Sequence, residues 1–195
     1  MIESQFSQPQ GTVGKLAGWF MAKENKTLNQ WTLSFLNIQE DERVLEIGSG
    51  PGSAVKELLK YKSCEVYAID PSEAMVETTL RRLHKLRIDK QVCMIHGKAN
   101  EAENISVPFD KVYSINNITY WENPIQTLEY LNKHMCPKGK IALTLCPHEE
   151  GATDETTEVL SGQLSSFLEK AGFRKIETFI KHTKPNNTVC AVGMV

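Results

Sequence analysis

The chain has 195 residues, of which 41% are hydrophobic and 24% are charged, the balance of one soluble globular domain. Its formal net charge is −2 with both signs interspersed, so no basic block predicts binding to DNA or RNA. The N-terminus lacks the pattern of a secretion signal, and no stretch is long enough to span a membrane.

The five cysteines are odd in number and form no C-x-x-C pair. This pattern favours reduced core thiols over a disulfide framework or a metal site. We therefore expect a cytoplasmic protein without a metal centre.

In residues 12–37, apolar and aromatic side chains recur at helical spacing, which predicts helices in the segment 1–39 before the first strand. The most common role of such a pattern is packing in a core.

A glycine-rich turn dominates the chain. An apolar run over residues 44–47 is followed by Gly48, Gly50 and Gly52, and from Ser53 onward the pattern becomes helical. This order predicts a strand, a tight loop and a helix, the opening unit of a nucleotide-binding α/β sheet. The helix N-terminus offers unpaired N–H groups to a ligand.

The type of nucleotide follows from residues around the glycines. A dinucleotide fingerprint would require glycine at Ser53, and Pro51 removes one N–H donor that would face a pyrophosphate. Glu46 is unfavourable near phosphates but favourable near a cation. S-adenosylmethionine (SAM), with a sulfonium and an ammonium group, therefore fits better than a nicotinamide dinucleotide, and an oxidoreductase is the less favoured alternative.

The segment E-I-G-S-G-P-G at residues 46–52 resembles the first motif of class I SAM-dependent methyltransferases, an acid followed by x-G-x-G-x-G. The resemblance extends over about residues 40–195 and is greatest for small bacterial members similar to ubiquinone and menaquinone methyltransferases. It implies SAM as the cofactor and a small-molecule methyl acceptor. The cofactor-binding residues that it implies are Glu46, Gly48, Ser49, Gly50, Gly52, Asp70, Pro71, Lys98, Ala99 and Asn116.

The resemblance also implies the fold. We expect an α/β, doubly wound, mostly parallel Rossmann-like sheet of seven strands in the order 3-2-1-4-5-7-6, with strand 7 antiparallel. Residues 40–195 would form the SAM-binding domain, and residues 1–39 would form cap helices. In such a cap, the candidates for substrate contact are Gln5, Trp19, Met21 and Asn25.

The second predicted strand, Glu65–Asp70, ends in an acid 20 residues beyond Gly50. That spacing predicts a carboxylate within reach of ribose hydroxyls, as in the second motif of the family. Asp70 also suits a helix N-cap with Pro71 at the first helical position.

The following helix carries Arg81, Arg82, Lys85 and Arg87 on its predicted outer face. Such a cluster is usually a solvated helix face and only occasionally an RNA-binding patch.

The third strand, Gln91–Ile95, is followed by a turn in which the family often has an acid that binds the adenine amino group. Lys98 occupies that position here, whereas the backbone N–H of Ala99 is retained. Asn100 or Glu101 are the candidate replacements for the missing carboxylate.

The fourth strand and its lead-in, residues 108–117, resemble the family pattern P-F-D-x-V-x-S-x-N and place Asn116 beside the methionine part of SAM. Further along, we predict a turn at 136–140, a strand at 141–145 and a helix at 154–171. Two closing strands, at 173–181 and 188–195, complete the sheet.

Methyl transfer from SAM is an in-line displacement that needs positioning more than a fixed catalytic group. No catalytic residue is assigned, and the candidates for a general base are Tyr120, His148 and Glu149. A non-catalytic SAM-binding module and an RNA methyltransferase are the open alternatives. The sequence is compatible with a monomer or a homodimer, and no DNA or membrane partner is expected.

Overall fold

The structure is a computed structural model, and it describes residues 26–60, 63–147, 149 and 151–195. The proposed substrate contacts Gln5, Trp19, Met21 and Asn25, most of the predicted cap segment, and His148 lie outside the described residues.

A seven-stranded sheet organises the chain, in the predicted order β3-β2-β1-β4-β5-β7-β6. The strands are β1 (Arg43–Ile47), β2 (Glu65–Asp70), β3 (Val92–His96), β4 (Phe109–Ile115), β5 (Met135–Leu145), β6 (Arg174–Lys181) and β7 (Thr188–Met194). The pairs from β3 through β5 are parallel, whereas β7 is antiparallel to both β5 and β6. The predicted fold class is therefore confirmed.

Five α-helices are described. They are α1 (residues 26–36), α2 (Ser53–Leu59), α3 (Glu73–Leu86), α4 (Pro124–His134) and α5 (Asp154–Lys170). Short 3₁₀ helices occupy Asp89–Gln91, Ala99–Asn104 and Ile118–Tyr120. None of the described helices is long and apolar enough to cross a membrane.

The helices cover both faces of the sheet and create two apolar clusters. On one face, β-strand residues such as Leu45 and Leu143 pack with Leu128 of α4 and Leu168 of α5. On the other face, strand residues including Val44 and Val66 pack with apolar side chains of α1, α2 and α3. Because both faces are buried, the central strands are rich in apolar residues, and the polar side chains within them, such as Glu46 and Ser114, are buried as well.

The sheet order reverses between β1 and β4, so their loops diverge at the carboxyl edge of the strands. In doubly wound sheets, ligands bind in the crevice at this switch point. The fold therefore brings the glycine loop, the end of β2, and the turns after β3 and β4 to one edge.

The prediction of a separate turn at residues 136–140 is wrong. Strand β5 already begins at Met135, which pairs with Phe109, and the register shifts before Lys140 pairs with Lys111. Lys138 has a φ of 67°. The turn residues therefore form an irregularity inside a longer strand, because the ladder resumes on both sides of them.

Candidate cofactor site

The loop after β1 folds back on the end of β2. The backbone N–H groups of Gly48 and Ser49 both donate to the carbonyl of Ile69, at 2.8 and 3.1 Å. Gly48, Gly50 and Gly52 have φ angles of 83°, 51° and 72°. These left-handed conformations strain any residue with a Cβ, so the alternate glycines are what allow this tight loop.

Two of the three glycines also lie in close contact with side chains of other elements. A Cβ on Gly52 would lie 2.5 Å from Cγ2 of Thr79, and one on Gly48 would collide with the amide of Asn117. A Cβ on Gly50 would meet nothing within 4 Å. The loop is therefore packed at its two ends and open in the middle.

This difference predicts unequal effects on stability. Gly50→Ala should cost only the left-handed strain, roughly 1–2 kcal/mol. Gly52→Ala should cost about 1–3 kcal/mol more, because Thr79 is fully buried and has no room to move. The thermal midpoint of Gly52→Ala should therefore lie roughly 3–10 °C below that of Gly50→Ala. Equal midpoints for the two variants would show that the close contact does not constrain the loop.

Asp70 joins the glycine loop to the start of α3. Its carboxylate accepts from the N–H of Gly50 at 2.7 Å and from the N–H of Ser72 at 2.9 Å. The residue is only 6% exposed, yet each carboxylate oxygen keeps a further lone pair for a ligand hydroxyl.

The prediction that Asp70 caps α3 with Pro71 at the first helical position is wrong. Ser72 is the N-cap, its hydroxyl accepts from Met75 N–H at 3.4 Å, and the helix begins at Glu73. The cap therefore falls two residues later, and Asp70 is left to bind the loop.

Side chains of α3 support the loop from behind, a feature that the sequence analysis missed. The Thr79 hydroxyl donates to the carbonyl of Gly50 at 2.9 Å. Arg82 donates to the carbonyl of Pro51 at 2.7 Å and to the hydroxyl of Ser53 at 3.0 Å. These contacts join residues about 30 positions apart, which a local pattern cannot reveal.

Glu46 is buried at the end of β1, and one of its carboxylate oxygens, Oε2, has no hydrogen-bond partner. Burial, with a smaller contribution from the charge of Asp70, raises the pKa of Glu46 to about 8. The Tyr113 hydroxyl opposes this rise in pKa, but no hydrogen bond of normal geometry joins the two groups. Glu46 is therefore protonated at neutral pH until a cation stabilises its charged form.

Buried polar atoms without partners are concentrated around this loop. Among the described residues there are four such side-chain atoms, on Glu46, Ser49, Tyr113 and Asn132. Three of these residues lie close together in the sheet or its loop. Glu46 is in β1, Ser49 is in the loop after it, and Tyr113 is the β4 residue that pairs with Glu46. Because native proteins leave few buried polar atoms unpaired, the cluster fits a ligand with its own donors and acceptors.

Beyond the loop, two adjoining cavities of about 40 and about 200 Å³ form one cleft along the carboxyl edge. Both are lined by Lys98, Ala99, Tyr120 and Trp121. The smaller cavity also contacts the glycine loop and Pro71, whereas the larger one extends toward α4. The cleft thus brings together the turns that follow β1, β2, β3 and β4.

The turn after β3 has Lys98 at the position where the family often has an acid. The ammonium of Lys98 forms an ion pair with the carboxylate of Glu122, which comes from the turn after β4. Asn100 lines the larger cavity, whereas the Glu101 carboxylate accepts from Asn104 at 2.7 Å and packs over Gly97. Of the two predicted replacements for the acid, only Asn100 lies on the cleft, and Glu122 was not foreseen.

The end of β4 uses two asparagines differently. Asn116 has a φ of 53°, and its side-chain oxygen accepts from the N–H of Cys146 at 2.8 Å. Its amide therefore joins β4 to β5. Asn117 instead lines the cleft above Gly48, and its oxygen accepts from the Trp121 indole N–H at 2.8 Å.

The candidates for a general base are placed unequally. Tyr120 is 81% exposed and lines both cavities of the cleft. Glu149 is exposed in the loop after β5. His148 lies outside the described residues, so the structure does not position it.

Comparison with known proteins agrees with this geometry. The family described as a methyltransferase domain matches residues 45–141. The chain is 36% identical over 179 residues to the uncharacterized methyltransferase YdaC of Bacillus subtilis (strain 168), covering 91% of this chain and 97% of that protein.

Solved structures share the fold at low identity. A SAM-dependent methyltransferase from Aquifex aeolicus is 22% identical, with a TM-score of 0.68 over 86% of this chain and 89% of that one. Phosphoethanolamine N-methyltransferase 2 of Haemonchus contortus, solved with phosphomonomethylethanolamine and S-adenosylhomocysteine, is 17% identical with a TM-score of 0.68. That alignment covers 86% of this chain and 52% of the Haemonchus protein.

The extended match to a methyltransferase and the seven-stranded sheet, with its glycine loop and acidic β2 end, lead to one conclusion. The chain belongs to the class I SAM-dependent methyltransferases.

Proposed function

We propose that the protein transfers the methyl group of SAM to a small-molecule acceptor. The observation that carries this proposal is the charge of the cleft. Among the described residues, the charged side chains that line its two cavities are Lys98, Glu103 and Glu122. Lys98, the one cation among these described residues, is already paired with Glu122. A polyphosphate backbone needs several free cations, so this edge is unfavourable for an RNA acceptor.

A structural neighbour supports the same class of acceptor. The phosphoethanolamine methyltransferase was solved with a small molecule, phosphomonomethylethanolamine. That fold similarity does not identify the acceptor of the present protein. The specific likeness to ubiquinone and menaquinone methyltransferases stays a prediction.

We assign the cofactor to the cleft through its polar groups. Asp70 would accept hydrogen bonds from the ribose hydroxyls, and Glu46 would face a cationic group of the cofactor. Gly48, Ser49 and Gly50 would leave room for its close approach.

At the other end of the cleft, the backbone N–H of Ala99 would bind the adenine ring. Pro71 and Lys98 would line the ribose and adenine portions. Asn117 would join Asn116 in the position beside the methionine portion, because its amide already lies on the cleft.

Bound SAM supplies an electrophilic methyl carbon with a good leaving group, and the remaining task of the protein is positioning. Holding the acceptor in line contributes up to about 7–11 kcal/mol in favourable cases. A general base such as Tyr120 or His148 would add about 10²–10⁴-fold for a protonated acceptor. Tyr120 is the candidate that the structure places on the cleft.

Activity with separated acceptor pools tests this proposal. The protein is incubated with methyl-labelled SAM and with the small-molecule, RNA and protein fractions of a bacterial extract. We expect label to transfer to the small-molecule fraction, and Asp70→Ala should transfer far less. Labelling confined to the RNA or protein fraction would contradict a small-molecule acceptor.

Glu122 provides a second test at the adenine end of the cleft. We expect its carboxylate, held by Lys98, to accept from the adenine amino group in place of the acid usual at position 98. Glu122→Gln should weaken S-adenosylhomocysteine binding by about 3- to 10-fold. It should hardly affect S-inosylhomocysteine, which has an oxo group instead of the amino group.

Glu129→Gln, on α4 outside the cleft lining, is the matched control and should leave both affinities unchanged. Equal losses for the two ligands in Glu122→Gln would show that Glu122 does not recognise the amino group. Both affinities are measured by isothermal titration calorimetry.

A further inference from the structure

A second cleft lies on the outer surface of α2 and α3, with a volume of about 400 Å³. It is lined by Lys56, Thr78, Arg81, Arg82, Lys85 and Leu86. None of these residues lines either cavity of the cofactor cleft. This surface is therefore distinct from the cofactor cleft, although one of its residues, Arg82, also supports the glycine loop from behind.

The charge of this second cleft is uncompensated. Of the six described residues that line it, four are cationic and none is acidic. Within the described part of the chain, the ion pairs involve Arg43, Lys60, His84, Lys98 and Lys111, and none of the four cleft cations. The chain as a whole carries a net charge of −2, so the local excess does not reflect its general composition.

Helix stability explains only part of this cluster. The helix dipole favours Lys85 in the last turn of α3, but Arg81 and Arg82 lie earlier in the helix. Glu77 and Arg81 are four residues apart and opposite in charge, which favours the helix, whereas Arg81 and Lys85 at the same spacing repel each other. Arg82 has a structural role because it supports the glycine loop, whereas a role in binding negative charge accounts for the exposed pair Arg81 and Lys85 better than a role in folding.

The arginines are also partly pre-positioned. Arg82 is half-buried and is held by Pro51 and Ser53. Arg81 donates to the carbonyl of Glu77 at 3.3 Å and to the hydroxyl of Thr78 at 3.5 Å. Each guanidinium has five N–H groups, so donors remain for a ligand. Side chains that are already ordered lose less entropy when an anion binds.

We infer that this cleft binds a small polyanion, a metabolite that carries two or more phosphate groups. Guanidinium groups match phosphate oxygens in a bidentate geometry, and the two lysines add mobile charge. The lining residues that the structure describes include no aromatic side chain on which a base would stack, so a compact phosphate compound fits better than single-stranded RNA.

The test uses tripolyphosphate as the probe and the full-length protein. Calorimetric titration at low ionic strength should give a dissociation constant of the order of 10 μM, weakening as salt is raised. The double variant Arg81→Gln/Lys85→Gln should weaken binding by about 10- to 100-fold. Both residues are exposed, so thermal melting should confirm an unchanged fold.

The matched control is Lys133→Gln/Arg174→Gln, which removes two equally exposed cations from α4 and β6. It should change tripolyphosphate affinity by no more than about twofold, which distinguishes a local site from general charge. Saturating S-adenosylhomocysteine should leave the affinity unchanged. The tripolyphosphate titration involves no methyl acceptor. Its outcome therefore tests the anion site separately from the proposed methylation.

Three results would overturn the inference. The first is an equal loss of tripolyphosphate binding in the control variant. The second is competition by S-adenosylhomocysteine, which would place the anion in the cofactor cleft. The third is the absence of tripolyphosphate binding at about 1 mM. This result would overturn the inference even if a short single-stranded RNA did bind.

Discussion

Asp70→Ala should reduce the affinity for S-adenosylhomocysteine by about 100-fold or more. We expect the Asp70 carboxylate to accept from both ribose hydroxyls, and charge-assisted hydrogen bonds contribute about 1.5–3 kcal/mol each. The residue is only 6% exposed and already fixed by the N–H groups of Gly50 and Ser72. Little reorganisation is therefore needed for it to bind a ligand.

The control for this variant is Glu73→Ala, which removes an exposed carboxylate three residues further along the chain. It should leave the affinity within about twofold of the parent protein. Asp70→Asn keeps one acceptor oxygen and the side-chain shape. This variant therefore distinguishes the loss of ligand contacts from a disruption of the glycine loop. Calorimetry with thermal melting of each variant measures both effects, and an unchanged affinity in folded Asp70→Ala would refute the ribose assignment.

SAM binding should release close to one proton from Glu46 at neutral pH. Burial raises the pKa of this carboxyl to about 8, so it is protonated in the free protein at pH 7. A cationic group of SAM beside it would lower that pKa and drive the proton off. The affinity should consequently rise by up to about tenfold per pH unit between roughly pH 6 and 7.5.

Titration in two buffers of different ionisation enthalpy measures the released proton directly. Glu46→Gln should bind SAM more weakly, release no proton and show a flat pH profile over the same range. A parent protein that binds SAM without proton release would show that Glu46 does not face the cationic part of the cofactor.

The raised pKa of Glu46 also has a consequence for folding. Because the folded state retains a proton that the unfolded chain loses near pH 4.5, stability should fall as pH rises from there to about 8. The slope is at most about 1.4 kcal/mol per pH unit, and it vanishes above the folded-state pKa. Glu46→Gln should therefore melt at a higher temperature than the parent protein at pH 8.

Local sequence patterns predicted the structure correctly where a conformation strongly favours one residue type. The three glycines and Ser53 predicted the loop before α2, and their left-handed φ angles show why glycine was needed. The spacing of Asp70 from Gly50 predicted that the ends of β1 and β2 meet, and a hydrogen bond of 2.7 Å joins them.

Patterns failed where the outcome depended on a backbone angle or a distant partner. The left-handed backbone at Asn116 directs its amide to Cys146 and leaves Asn117 on the cleft. Two consecutive asparagines in the sequence do not show which of them will face the cleft. Glu122 pairs with Lys98 across 24 positions because the turns after β3 and β4 converge only in the folded sheet.

The helix that follows β2 shows a third kind of limit. Asp70 and Ser72 are both good capping residues, but the prediction from the sequence considered only Asp70. The contact between Asp70 and the glycine loop decides between them, since a carboxylate that binds Gly50 N–H is committed to the loop. Tertiary structure, rather than local preference, fixed the start of α3.

Calorimetric titration of the full chain with SAM, S-adenosylhomocysteine and NAD⁺ tests the cofactor assignment most directly. We expect both adenosyl ligands to bind with dissociation constants of the order of 1–100 μM and NAD⁺ not to bind. Binding of NAD⁺, or no binding of either adenosyl ligand, would contradict the assignment of Glu46, the glycine loop and Asp70 to a SAM site.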